Sequence, residues 1–96
     1  MALVKTTAGV ETATLTSTGN AVASAARLYS IYAVCAGSAG SIVLKNGSGG
    51  ATLANIATPG SATVTINVDF SADGLDFPSA LHATLTNVTS VLFVYG

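Results

Sequence analysis

The sequence predicts an all-β protein, a single antiparallel β-sandwich or jelly-roll-like domain of seven to eight short strands. Three observations carry that expectation. Apolar residues recur at every second position through several short segments, the period of a strand with one buried face. Turn-forming clusters separate those segments at intervals of about ten residues, as they do in sandwiches and barrels. No segment holds an apolar stripe of helical period, and the alanine-rich stretch 21–26 covers only about one and a half turns, too short to stand as a helix without packing. Ninety-six residues make one modest domain. The whole chain, residues 1–96, is therefore assigned to it, with residues 1–8 as an N-terminal arm.

Taken in order, residues 11–18 read as the first strand. Residues 27–35 follow, with Tyr29, Ile31 and Ala33 on one face and Leu28, Tyr32 and Val34 on the other, so that both faces are apolar. Residues 41–45 and 51–57 are two shorter strands. The clearest alternation is 62–70, where Val64, Ile66, Val68 and Phe70 interleave with Thr63, Thr65, Asn67 and Asp69. In 81–86, Leu81, Ala83 and Leu85 oppose His82, Thr84 and Thr86, which sends His82 to the outward face. The last strand, 91–95, is apolar on both faces and needs a cover on its outer side. Between the strands lie Gly37-Ser38-Ala39-Gly40, Asn46-Gly47-Ser48-Gly49-Gly50, Pro59-Gly60, Asp73-Gly74 and Pro78. Strand alternation nominates Val64, Ile66, Val68, Phe70, Leu81, Leu85, Val91 and Phe93 as core.

Composition bounds the function. Charged residues make up 7% of the chain, against about 25% in an ordinary soluble domain. Ala, Thr and Ser supply about 40% of it, so hydroxyls and methyls must form most of the surface. A surface so poor in charge associates readily unless it is covered, and a chain this short buries too little on its own to cover the outer face of strands such as 91–95. A homo-oligomer follows. The three cations, Lys5, Arg27 and Lys45, are scattered. Nucleic-acid binding needs a basic stripe and is not expected. No apolar run approaches the roughly 18 residues of a membrane span, and the N-terminal residues lack the apolar stretch of a secretory signal, so assembly in a cytoplasm is expected.

The residues that carry chemistry elsewhere read here as structural. Asp69, Asp73 and Asp76 share one loop region, but their spacing fits no calcium loop, and turn formation accounts for them. His82 is the single histidine, too few for a multi-histidine zinc site. Asn46-Gly47-Ser48-Gly49-Gly50 comes near a nucleophile elbow, yet strand-like Ala51-Thr52-Leu53 follows where that motif needs a helix. The loop is read instead as flexible. It also lacks the Lys-Ser or Lys-Thr of a phosphate loop. Cys35 stands alone among Ala33, Val34 and Ala36 and reads as a small buried hydrophobe. Asn46-Gly47-Ser48 and Asn87-Val88-Thr89 match the glycosylation sequon by chance. The expectation is a protein that is not an enzyme and uses no cofactor and no metal. In the arm, Lys5 is the one charge before Glu11, while Leu3, Val4, Thr6 and Thr7 can add a strand to a sheet edge or lay an apolar edge on a neighbour. Leu3, Val4, Lys5, Thr6 and Thr7 are the candidate assembly contacts.

Arg27-Leu28-Tyr29-Ser30-Ile31 leads into a Gly/Ser/Ala turn. Ser41-Ile42-Val43-Leu44-Lys45-Asn46-Gly47 follows with further glycines, then Asp73-Gly74-Leu75-Asp76-Phe77, then Val94-Tyr95. From about Arg27 onward this layout resembles small virion proteins of tailed phages, especially marine and cyanobacterial ones. The resemblance implies a β-sandwich structural protein of the particle, a head decoration or cement protein often present as trimers, whose partner is the major capsid protein or another virion protein. It supplies no binding residues at particular positions. The alternative is a receptor- or carbohydrate-binding module on a tail or head fibre, which would want exposed aromatics. With no Trp, three Tyr and three Phe, most of them sent inward by the alternation, the chain has few to offer.

Overall fold

The computed structural model describes residues 10–96. Nine strands are present among them: β1 (Glu11–Leu15), β2 (Gly19–Val22), β3 (Ala26–Cys35), β4 (Gly40–Asn46), β5 (Thr52–Thr58), β6 (Thr65–Asp69), β7 (Leu75–Phe77), β8 (Leu81–Thr86) and β9 (Val88–Tyr95). They form two antiparallel sheets. The first has the order β1-β9-β3-β6, with β7 also pairing β3, and the second has the order β2-β8-β4-β5.

Setting aside the three-residue β7, the pairing is nested. The first strand pairs the last, β2 pairs β8, β3 pairs β6, and the β4–β5 hairpin closes the set. A long antiparallel hairpin rolled on itself produces that nesting, which is the jelly-roll arrangement of two sheets. Alternation along single strands is silent on topology, so sequence alone leaves jelly roll and other sandwiches equally open. The pairing decides for the jelly roll.

The core lies between the sheets. Leu28, Ile31, Ala33 and Cys35 of β3, Ile42 and Leu44 of β4, Phe77 of β7, Leu81 and Ala83 of β8, and Val91 and Phe93 of β9 are buried there. Each large apolar side chain in this set contributes about 1.5–3 kcal/mol through burial. Of the nominated core, Leu81, Val91 and Phe93 are fully buried, whereas Val64, Ile66, Val68, Phe70 and Leu85 are only half-buried. For Ile66, Val68, Phe70 and Leu85, which pack against the core, the face is assigned correctly and the depth is not; Val64 precedes β6 and does not join the core. β6 is an edge strand, so its inward side chains have a neighbour on one side only.

Strand β3 departs from strict alternation. Leu28 and Ile31 both point inward, and Tyr29 does not share a face with Ile31 and Ala33 as period two requires. The reason is a bulge: Val94 pairs Ser30 while Tyr95 pairs Leu28, leaving Tyr29 without a register partner on β9. One extra residue reverses the faces beyond it. A second shift in the same ladder, between Val88 and Ser90, keeps Val88 buried alongside Val91 and Phe93.

Two close approaches fix the turns. β8 passes to β9, and so from one sheet to the other, through Asn87 alone, which adopts φ +52°. Asn tolerates the left-handed region better than most residues, and its Nδ2 donates to the Ala39 carbonyl at 3.0 Å. Beside it, a Cβ on Gly40 would lie 1.8 Å from the Thr86 carbonyl oxygen, so no side chain fits at the start of β4.

Candidate assembly surface

The first sheet's outer face carries the exposed apolar surface that the sequence anticipated. On β9, Val91 and Phe93 point inward, leaving Leu92 and Val94 outside; on β3, Tyr32 and Val34 do the same. Register places Leu92 beside Tyr32, Ser90 beside Val34 and Val94 beside Ser30. Tyr32 is 46% exposed, and Leu92, Val34 and Val94 are half-buried. Flanking this stripe are Thr12 and Thr14 of β1 and Thr65 and Asn67 of β6. The result is a central apolar band with a hydroxyl and amide border, the pattern of a contact surface rather than of a charged one. The arm residues Leu3, Val4, Lys5, Thr6 and Thr7, nominated for assembly contacts, lie outside the described residues.

His82 is a correction. It sits on the outer side of β8, as alternation requires, yet it is 8% exposed instead of open to solvent. Register sets it between Asn20 of β2 and Lys45 of β4, and a Nδ1 to Asn20 Oδ1 hydrogen bond of 3.0 Å closes over it. β2 could not be read from the sequence, because Gly19 and Asn20 interrupt any alternation. With β2 unseen, nothing was expected to cover the histidine.

The three aspartates do not converge. Asp69, Asp73 and Asp76 are all exposed, and among the described residues no three His, Cys, Asp or Glu side chains are grouped to hold a metal. Asp76 stands 3.8 Å from Arg27 Nη2, and Arg27 Nη1 donates to the Asp73 backbone carbonyl at 2.7 Å. The aspartate loop is thus held to β3 by one arginine. Gly74 completes that turn with φ +74°; a Cβ there would meet Arg27 Cγ and the Leu28 carbonyl within 3 Å.

The Asn46-to-Gly50 loop is a pinned hairpin turn, where the sequence suggested a flexible one. Asn46 Oδ1 accepts from the Ser79 and Ala80 amides at 2.7 and 3.4 Å, and the Gly47 amide donates to the Ala80 carbonyl at 3.0 Å. Strand β5 follows, so the helix that a nucleophile elbow requires is not there. Cys35 is fully buried, as its neighbours suggested. No pocket opens among the described residues, and no helix among them is long and apolar enough to span a membrane. No family model, curated protein or solved structure matches the chain. Its class is defined by the fold alone, a small jelly-roll β-sandwich.

Proposed function

We propose that the protein is a non-enzymatic structural component of a tailed-phage particle, a decoration or cement protein that binds the major capsid protein and resides in the virion after assembly in the host cytoplasm. One observation carries the reading. With 7% charged residues, the domain presents a hydroxyl- and methyl-rich exterior around the Tyr32, Val34, Leu92 and Val94 stripe, a surface suited to cover by neighbours. Jelly rolls recur in viral capsid proteins and in lectins, which agrees with the proposal by fold-level analogy only. The resemblance favours three copies per assembly.

Attachment runs in part through Leu3, Val4, Lys5, Thr6 and Thr7, whose single charge gives little to ion pairing. The test is co-sedimentation of the purified protein with undecorated shells. Deleting residues 1–7 should weaken binding, while about 1 M salt, where screening is nearly complete beyond about 3 Å, should not. Full occupancy by the truncated protein would refute the arm contact. Release by salt alone would refute its non-electrostatic character.

A second reading, a receptor- or carbohydrate-binding module on a fibre, draws on exposed Tyr32 with Asn67 beside it in register. An aromatic face next to an amide is a minimal sugar platform. A Tyr32→Ala variant that still bound shells but lost binding on a glycan panel would favour that reading.

A further inference from the structure

Of the five asparagines in the chain, Asn46 alone is followed by glycine. Such a pair can modify itself. The backbone nitrogen after an asparagine attacks the side-chain carbonyl carbon, and a glycine, having no Cβ, leaves that approach open. As the bond from Gly47 N to Asn46 Cγ forms, the Cγ–Nδ2 bond breaks and the Gly47 amide proton leaves with Nδ2 as ammonia. Water then opens the succinimide ring to aspartate or isoaspartate. Asn55, Asn67 and Asn87 are exposed, but each precedes a β-branched residue that crowds the attack.

The reaction needs a free Gly47 nitrogen and a side-chain amide that can turn its carbon towards it. The fold opposes both through one segment, Ser79-Ala80. The Gly47 N–H is shared between the Lys45 and Ala80 carbonyls, at 3.0 Å each. Asn46 Oδ1 accepts from the Ser79 and Ala80 amides at 2.7 and 3.4 Å, and since only the oxygen can accept, the amide plane has one orientation. Those two donors would also stabilise the negative charge that attack builds on Oδ1. A nitrogen whose proton is held by two carbonyls does not reach that stage. The clamp is itself anchored, because Ala80 is buried and lies between fully buried Phe77 and Leu81 along the chain. On its other side the turn is closed by Asn46 N–H to the Ala51 carbonyl at 3.0 Å and Gly50 N–H to the Gly47 carbonyl at 3.1 Å.

We propose that Asn46-Gly47 is a latent self-modification site, shielded in the native turn and converted only in molecules whose turn has lifted from Ser79-Ala80. Conversion to aspartate adds a negative charge to a chain of formal net charge −1, and the carboxylate still accepts from both amides. Conversion to isoaspartate inserts a backbone methylene at the end of β4. The seated turn has no room for that change, since even a Cβ on Gly50 would lie 1.7 Å from the Asn46 carbonyl oxygen. Isoaspartate therefore marks, irreversibly, each molecule that has opened and keeps its β4–β5 turn from seating again. The site does not depend on shell binding.

The test incubates the purified full chain in mildly alkaline buffer, once native and once unfolded in urea, and follows the Asn46 peptide by mass spectrometry for loss of the amide and for isoaspartate. A reaction confined to opened molecules runs in proportion to their population, so the unfolded chain should convert Asn46 at least about tenfold faster, an opening free energy of about 1.4 kcal/mol or more. Ser79→Pro removes the 2.7 Å donor at an exposed position and should raise the native rate by about 2–10-fold, the loss of one hydrogen bond, with circular dichroism reporting that the variant is folded. Should Ser79→Pro fail to fold, the comparison of native and unfolded wild type decides alone. A native rate equal to or above the unfolded one overturns the proposal, as does a folded Ser79→Pro that converts no faster than the wild type.

Discussion

Truncating Leu44 to alanine tests the assignment of depth within the sandwich. Leu44 lies on β4, interior to the second sheet, and is fully buried. Its register partners on the two adjoining strands are Ala83 of β8 and Ala54 of β5. Neither alanine can swing into the space a leucine leaves, so the cavity persists and the loss falls in the upper part of the range of about 3–5 kcal/mol for such truncations. For a domain of this size each kcal/mol lowers the melting temperature by about 4–8 °C, so Leu44→Ala should melt at least about 12 °C below the wild type. Ile66→Ala is the matched comparison. Ile66 points inward from edge strand β6 and is only half-buried, so about half the transfer energy is at stake and the loss should be about 1–2 kcal/mol. Thermal and urea unfolding followed by circular dichroism measure both. Equal losses, or a larger one at Ile66, would refute the placing of β4 inside and β6 at the edge.

Two further substitutions probe the turns and the covered histidine. Gly40→Ala drives a methyl into the Thr86 carbonyl, and since both partners are backbone the β3–β4 turn must shift; a loss of about 1–3 kcal/mol is expected, read as a lower denaturant midpoint at unchanged slope, and an unaltered midpoint would contradict the close approach. Asn20→Ala removes the partner of His82 Nδ1 and leaves a buried polar atom unpaired, at about 1–3 kcal/mol; a wild-type melt together with an unshifted His82 ring resonance would show that the histidine does not rely on that bond.

Much of the architecture was legible from local pattern, because period-two alternation reports which face of a strand is buried. Ile66, Val68 and Phe70 lie on the inward face as read, and Leu81, Val91 and Phe93 are core. What alternation cannot report is which strands adjoin, since β1 and β9 pair across nearly the whole chain. Depth therefore failed where neighbours decide it, as at Ile66 and Leu85. The bulge at Tyr29 was invisible because tyrosine suits either face, and the extra residue is defined only against the register of β9. β2 and β7 escaped notice because Gly19-Asn20 and Leu75-Asp76-Phe77 are too short to alternate measurably. With β2 unseen, the burial of His82 could not be foreseen. The surface was legible in part: the doubly apolar 91–95 pointed to an exposed stripe, but Tyr32 joins it only through register.

The proposal that this jelly roll serves as a structural part of a phage particle is tested most directly by quantitative mass spectrometry of purified tailed-phage particles from cultures in which the chain is expressed. The account predicts that the chain is present at a fixed stoichiometric ratio to the major shell protein and stays with the particles through density-gradient purification. Its absence from intact particles, with the protein recovered only in the infected-cell lysate, would contradict it.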